Sequence, residues 1–335
     1  MPVPNILAVR FSSLGDLVLT TPLFRAIRRA HPSARVTLLT RAAYLPLFAH
    51  NPRLSRVIGW DGEESLRNVT GDLRGVDWTH RLDLHGSLRS FAVRRLVGGR
   101  WRGYPKRRLA RAMQIRFKGD VYRDRRHVAE RYFDAARGLG LEPDDQPPEV
   151  FLPMEATSTA DRFLRESGVA DRTLIALIPG AAHFTKRWPE HQWAALVELL
   201  TGRGLGVVIL GGSAEVELAG RLVTIAGAHG VSAAGRFDIA GTAALLKRAR
   251  CAVAGDTGVM HLATAVRTPV VTLLGPTVGE FGFLPYHARA TILERDLACR
   301  PCSKMGGPSC PLGHHHCLEW IAPEEVAEAV RRLPQ

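Results

Sequence analysis

The sequence has 335 residues, 46% hydrophobic and 23% charged, with 45 Lys plus Arg against 32 Asp plus Glu. That length suggests two domains able to bury their own cores, and the composition excludes an intrinsically disordered or collagen-like chain. No apolar stretch approaches the roughly 20 residues that span a bilayer, and the first residues lack the basic start of a secretory signal. The expectation is a cytoplasmic protein.

In chain order, strands are predicted at Ile6–Phe11, Val36–Thr40, Val57–Trp60 and Thr79–Leu84, alternating with helices at Leu17–Ala30, Ala42–His50, Glu64–Leu73 and Ser87–Val97. A Pro-rich connector over 143–153 follows. The pattern then restarts, with strands at Leu174–Pro179, Gly206–Leu210, Cys251–Ala254 and Val270–Leu274. Its helices are Glu190–Thr201, Ala214–Ala226, Thr242–Ala249 and Gly258–Val266, and Pro323–Leu333 closes the chain. Alternation of this kind predicts βαβ units and parallel sheets. The expected fold is therefore α/β, with two Rossmann-like domains facing across a cleft: 1–150, 151–322 and a C-terminal helix over 323–335. Ligands of open α/β sheets bind at the C-terminal ends of the strands.

The net charge of +13 is uneven along the chain. Residues 1–150 hold 27 basic and 15 acidic side chains, whereas 151–335 hold 18 and 17. Arg100–Arg131 alone has 12 cations and three acids, interleaved with Trp101, Tyr104, Phe117 and Tyr122. The first half is expected to meet something anionic.

Four turns at strand ends carry chemistry. In Arg10–Pro22 (RFSSLGDLVLTTP), Asp16 reads either as a first-turn cap or as a carboxylate taking a proton from a sugar hydroxyl. Ser12, Ser13 and the turn amides suit an oxyanion. In Ile178–Pro189 (IPGAAHFTKRWP), a small-residue turn with Thr185 and Lys186 suits a diphosphate. Gly211-Gly212 precedes Glu215 and Glu217, either of which can hold ribose hydroxyls. In Ala254–Ala263 (AGDTGVMHLA), Asp256 suits sugar hydroxyls, while Thr257 and the amides at Gly258 suit an anion. His261, one turn into that helix, is more often a packing residue at such a position. Leu274–Thr277 (LGPT) is a further strand-end turn. Cys299, Cys302, Cys310 and Cys317, beside His314–His316, have the spacing of a zinc site or of reduced, partly buried thiols.

These segments, in this order, resemble the glycosyltransferase family 9 heptosyltransferases of lipopolysaccharide core synthesis. The pattern R-x-S-S-x-G-D matches Arg10 to Asp16, P-G-A…K-x-W-P matches Pro179 to Pro189, D-T-G-x-x-H matches Asp256 to His261, and G-P-T matches Gly275 to Thr277. The resemblance implies a GT-B fold, ADP-heptose as donor in the C-terminal domain, and an acidic lipid A–Kdo glycolipid acceptor against the N-terminal one. It implies Asp16 as general base and Lys186 as a second catalytic residue, with Lys186, Thr185, the Asp256–Gly258 turn and His261 on the donor, and Ser12 and Ser13 on the acceptor. Glu215 would be the ribose acid, and Arg89, in Asp83–Ser90 (DLHGSLRS), an acceptor residue. A protein of this kind is expected to sit peripherally on an anionic inner-membrane face.

The expected chemistry is inverting, single-displacement transfer without a metal or other cofactor, since no D-x-D pair of the cation-holding kind is present. Absence of G-x-G-x-x-G after the first strand and of G-x-S-x-G argues against a dehydrogenase or an α/β-hydrolase. Two alternatives stand beside this reading. One is a family 9-like transferase with another glycan or a protein as acceptor. The other is a basic nucleic-acid-binding protein, which leaves the strand-end turns unexplained and which the neutral second half disfavours.

Overall fold

The computed structural model describes residues 3–119 and 123–333. Tyr122 of the predicted basic stripe lies outside them. The chain forms two compact units, one of residues 1–107 with 126–151, the other of 108–125 with 152–335.

The first unit is built on five parallel strands, β1 (Asn5–Val9), β2 (Arg35–Arg41), β3 (Arg56–Trp60), β4 (His80–Asp83) and β5 (Arg102–Gly103), in the order β3-β2-β1-β4-β5. Strand β1 is buried at every position, as its unbroken apolar run requires of a central strand covered on both faces. Leu7, Val9, Leu39, Trp60 and Val93 pack one core. The predicted helix Leu17–Ala30 is two helices, Leu14–Val18 and Thr21–Ala30. Pro22 explains the break: it lacks a donor and restricts the residue before it, yet suits a helix start.

The second unit has six parallel strands, β6 (Leu174–Ile178), β7 (Gly206–Ile209), β8 (Gly230–Ser232), β9 (Cys251–Gly255), β10 (Val270–Leu274) and β11 (Ala290–Glu294). Their order is β11-β10-β9-β6-β7-β8, so the winding reverses between β6 and β9. In the first unit the reversal falls between β1 and β4. Such a reversal opens a crevice at the strands' C-terminal ends.

The units and the expected domains divide the chain differently at two places, 108–125 and the C-terminal helix. The connector is part of the first unit, because Asp144 pairs with Arg25 at 2.7 Å and Glu149 with Arg53 at 3.0 Å. Helix Arg108–Phe117 belongs to the second unit, where the Lys118 ammonium donates to the carbonyls of Cys299 and Pro301. The C-terminal helix Pro323–Arg332 is no separate element: Val326, Ala327 and Val330 join the core of the second unit. Counting charges by these units gives 21 basic and 13 acidic residues in the first, 24 and 19 in the second. The net charges, +8 and +5, remove most of the asymmetry seen along the chain.

Candidate active site

Asp16 lies just past β1, in the first turn of helix Leu14–Val18. Its Oδ2 is 2.6 Å from the Arg10 guanidinium and accepts from the Ser13 hydroxyl at 3.0 Å. Its Oδ1 accepts from the Tyr132 hydroxyl at 3.1 Å. Burial alone raises a carboxyl's pKa, but Arg10, Ser13 and Tyr132 outweigh it and hold Asp16 below its ordinary value. Arg10 is itself buried, donates to the Leu84 carbonyl at the end of β4 and to the Tyr104 hydroxyl, and faces the Tyr132 ring. It thereby ties the two strand ends that flank the reversal.

The loop after β4 is organised by Asp83. Its carboxylate accepts from the amides of His85 and Gly86 at 3.0 and 2.7 Å and from the Ser90 hydroxyl at 3.1 Å. Gly86 has φ +58, a conformation glycine takes without a Cβ penalty. Burial, then the charges of Arg10 and Lys106, pull His85 down to about 4, so its ring is neutral at physiological pH. Arg89 is exposed, its guanidinium 5.9 Å from the Trp60 ring centroid. The oxyanion reading of the first turn fares less well. The Ser13 hydroxyl is committed to Asp16, the helix has five residues, and Ser12 is only half-buried beside it.

In the second unit, Lys186 after β6 and Asp256 after β9 meet across the reversal. The ammonium is 2.6 Å from Asp256 Oδ2 and also donates to the Asp256 carbonyl at 3.0 Å. Thr277 of the LGPT turn donates to the same Oδ2 at 2.9 Å. Close approach of these turns needs Gly255, where a Cβ would stand 2.9 Å from the Lys186 carbonyl oxygen. Thr257 stands at the N-cap position of helix Gly258–Ala265 without a side-chain cap bond, and its buried hydroxyl has no partner among the described residues. The first amides of that helix also lack intrahelical acceptors.

Glu215 folds back over the ends of β6 and β7. It accepts from the Gly212 amide at 2.8 Å, and a Cβ on Gly180 would come within 2.6 Å of it. Glu217 is exposed on the following helix. Thr185 departs from expectation. It is buried, and its hydroxyl exchanges hydrogen bonds with the Gly307 amide and carbonyl, which makes it a latch for the 300s loop. His261, expected on the donor, is buried within helix Gly258–Ala265, the position of a packing residue.

Among the described residues no three His, Cys, Asp or Glu are grouped to hold a metal ion. Cys317 lies in the hydrophobic core, its thiol pushed up to about 11 by burial and by the neighbouring thiols of Cys302, Cys310 and Cys299. Cys251 is core as expected, its thiol pushed up to about 12 by burial.

A family model described as glycosyltransferase family 9 (heptosyltransferase) matches residues 66–312. The chain belongs to glycosyltransferase family 9. Lipopolysaccharide heptosyltransferase 1 of Pseudomonas aeruginosa is 32% identical over 90% of this chain and 86% of the relative. Among solved structures, a family 9 glycosyl transferase from Veillonella parvula matches with a TM-score of 0.82 at 22% identity, covering 99% of this chain and 98% of that one. The E. coli heptosyltransferase WaaC with ADP matches with a TM-score of 0.72 at 20% identity, covering 98% and 100%. The two parallel sheets are those of the GT-B fold, and this family member is a glycosyltransferase. No helix of the described residues is long and apolar enough to cross a membrane.

Three site features escaped the sequence. Arg10 stood in the quoted motif without a role, and its signal was a lone cation ending a buried strand. Thr277 likewise stood in a noted turn. Tyr132, 116 residues from Asp16, carries no local signal at all.

Proposed function

We propose that this family 9 transferase moves a heptose from ADP-heptose to the inner core of lipopolysaccharide, Kdo-lipid A or heptosyl-Kdo-lipid A, inverting the anomeric carbon in one displacement. The observation that supports this most is the preorganised Lys186–Asp256–Thr277 cluster beside the uncapped helix start at Gly258. A lysine ammonium has three protons, and two go to Asp256, leaving one for a donor phosphate. The Thr257 hydroxyl and the helix amides add donors, and the Glu215 carboxylate accepts from ribose hydroxyls. As ADP departs its charge grows, and fixed donors stabilise that change without reorganising.

Asp16 takes the proton of the acceptor hydroxyl. Arg10 and Ser13 occupy Oδ2, while Oδ1 keeps a lone pair beside Tyr132. Arg10 makes the carboxylate a weaker base yet keeps it fully ionised, and it gains basic work only as the attacking hydroxyl becomes acidic. Arg89 meets an acidic group of the acceptor, and the enzyme works at the cytoplasmic face of the inner membrane. Lys186 and the helix start supply the positive potential that a divalent ion supplies elsewhere, so dialysis against EDTA should leave turnover unchanged.

The deciding experiment incubates the purified protein with ADP-heptose and each acceptor, reading ADP release and the mass of the glycolipid. Addition of one heptose to one of them is expected, matched by loss of that heptose from the core of a deletion strain. Transfer to neither acceptor would overturn the assignment.

A further inference from the structure

Helix Arg108–Phe117 shows an apolar stripe to solvent and turns Gln114 and Arg111 toward the protein. Gln114 is buried, whereas Leu109, Met113 and Phe117 are 75%, 39% and 66% exposed. Spaced four residues apart, these three form one stripe. Polar and cation–π contacts fix this orientation: Arg111 lies 5.0 and 5.4 Å from the ring centroids of Phe281 and Phe283, and Lys118 binds two carbonyls. The stripe is rimmed by Arg107, Arg108 and Arg116, within a stretch, residues 84–119, that has 11 Lys or Arg and no Asp or Glu. Large apolar groups exposed together mark an interaction surface. An apolar face with cationic flanks is the pattern of a helix lying in a membrane interface.

We infer that helix Arg108–Phe117 docks the enzyme on a bilayer, with Leu109, Met113 and Phe117 entering the acyl boundary and the rim cations meeting anionic headgroups. This deepens the proposed lipid-borne acceptor and rests on that reading for its purpose. Charge complementarity selects this occupant. Two copies of the stripe would bring their cationic rims together, whereas an anionic surface neutralises them.

The test is cosedimentation of the full chain with vesicles of phosphatidylethanolamine and phosphatidylglycerol, or of phosphatidylcholine alone. Wild type should bind the anionic vesicles at least tenfold more tightly. The triple variant Leu109→Ser, Met113→Ser, Phe117→Ser should lose at least tenfold of that binding, with its melting curve and its transfer to a deacylated acceptor unchanged. Phe117→Trp should emit at shorter wavelength on anionic vesicles. Equal vesicle binding by the triple variant and wild type would overturn the inference. So would a wild-type dimer that the triple variant converts to monomer without altered lipid binding. Intact, stripe-dependent vesicle binding with no transfer to any acceptor would support the helix's role and count against the acceptor assignment instead.

Discussion

In the proposed mechanism one carboxylate, Asp16, serves as both cap and base, because its two oxygens face different partners. Oδ2 closes the turn with Ser13 and Arg10, and Oδ1 keeps capacity beside Tyr132. Asp16→Asn should lower single-turnover transfer by about 10² to 10⁴, the usual worth of a general base, with the dissociation constant of ADP unchanged. Unaltered transfer would leave Asp16 a cap alone. Its lowered pKa also sets a stability window. A depressed folded-state value contributes stability in full above the ordinary 3.8, and that contribution is lost as pH falls through the folded value. The stability gap between wild type and Asp16→Asn in denaturant titrations should therefore be flat at neutral pH and close only in acid. Lys186→Ala removes a charge-assisted donor worth about 1.5–3 kcal/mol and leaves Asp256 unneutralised. Calorimetry should show ADP binding about tenfold weaker or more, with transfer slower as well.

Among elements, the strand-end turns hold the site because glycines let them approach. Gly180 leaves room for the Glu215 side chain, which otherwise closes on the end of β6. Gly180→Ala should push that flexible carboxylate aside, weakening donor binding several-fold while the melting temperature barely moves. A matched loss of stability would mean that the turn itself had been broken. Thr185 contributes at this scale too: its two hydrogen bonds to Gly307 anchor the 300s loop.

Across the whole molecule, charge follows the units and not the order of the chain. With net charges of +8 and +5, both units attract anions, so salt should weaken donor and acceptor alike over a Debye length of about 10 Å at 0.1 M. Neutralising Arg89 together with Arg95, both in the first unit, should raise the apparent acceptor constant and flatten its salt dependence while ADP affinity holds. Identical salt slopes for variant and wild type would remove these arginines from the acceptor's path. Neutralising cations of residues 108–125 alters the unit that carries Lys186, so ADP affinity must be measured beside acceptor kinetics.

Local pattern determined the strands and the turns that follow them. Apolar runs such as Asn5–Val9 and Val270–Leu274 read as buried parallel strands, and a Gly, Asp or Thr at a strand's end reads as a turn feeding a helix. Asp16, Lys186 and Asp256 were legible for that reason, since motif and turn coincide in a few residues. Partners distant in sequence were not. Tyr132 reaches Asp16, and Thr185 spends its hydroxyl on Gly307, only because packing brings those segments together. The same holds for the helix over 108–117, whose periodicity marks an apolar stripe but not the side it faces. Tertiary contacts at Arg111 and Lys118 turned that stripe to solvent, and packing against segments far along the chain placed the helix in the second unit.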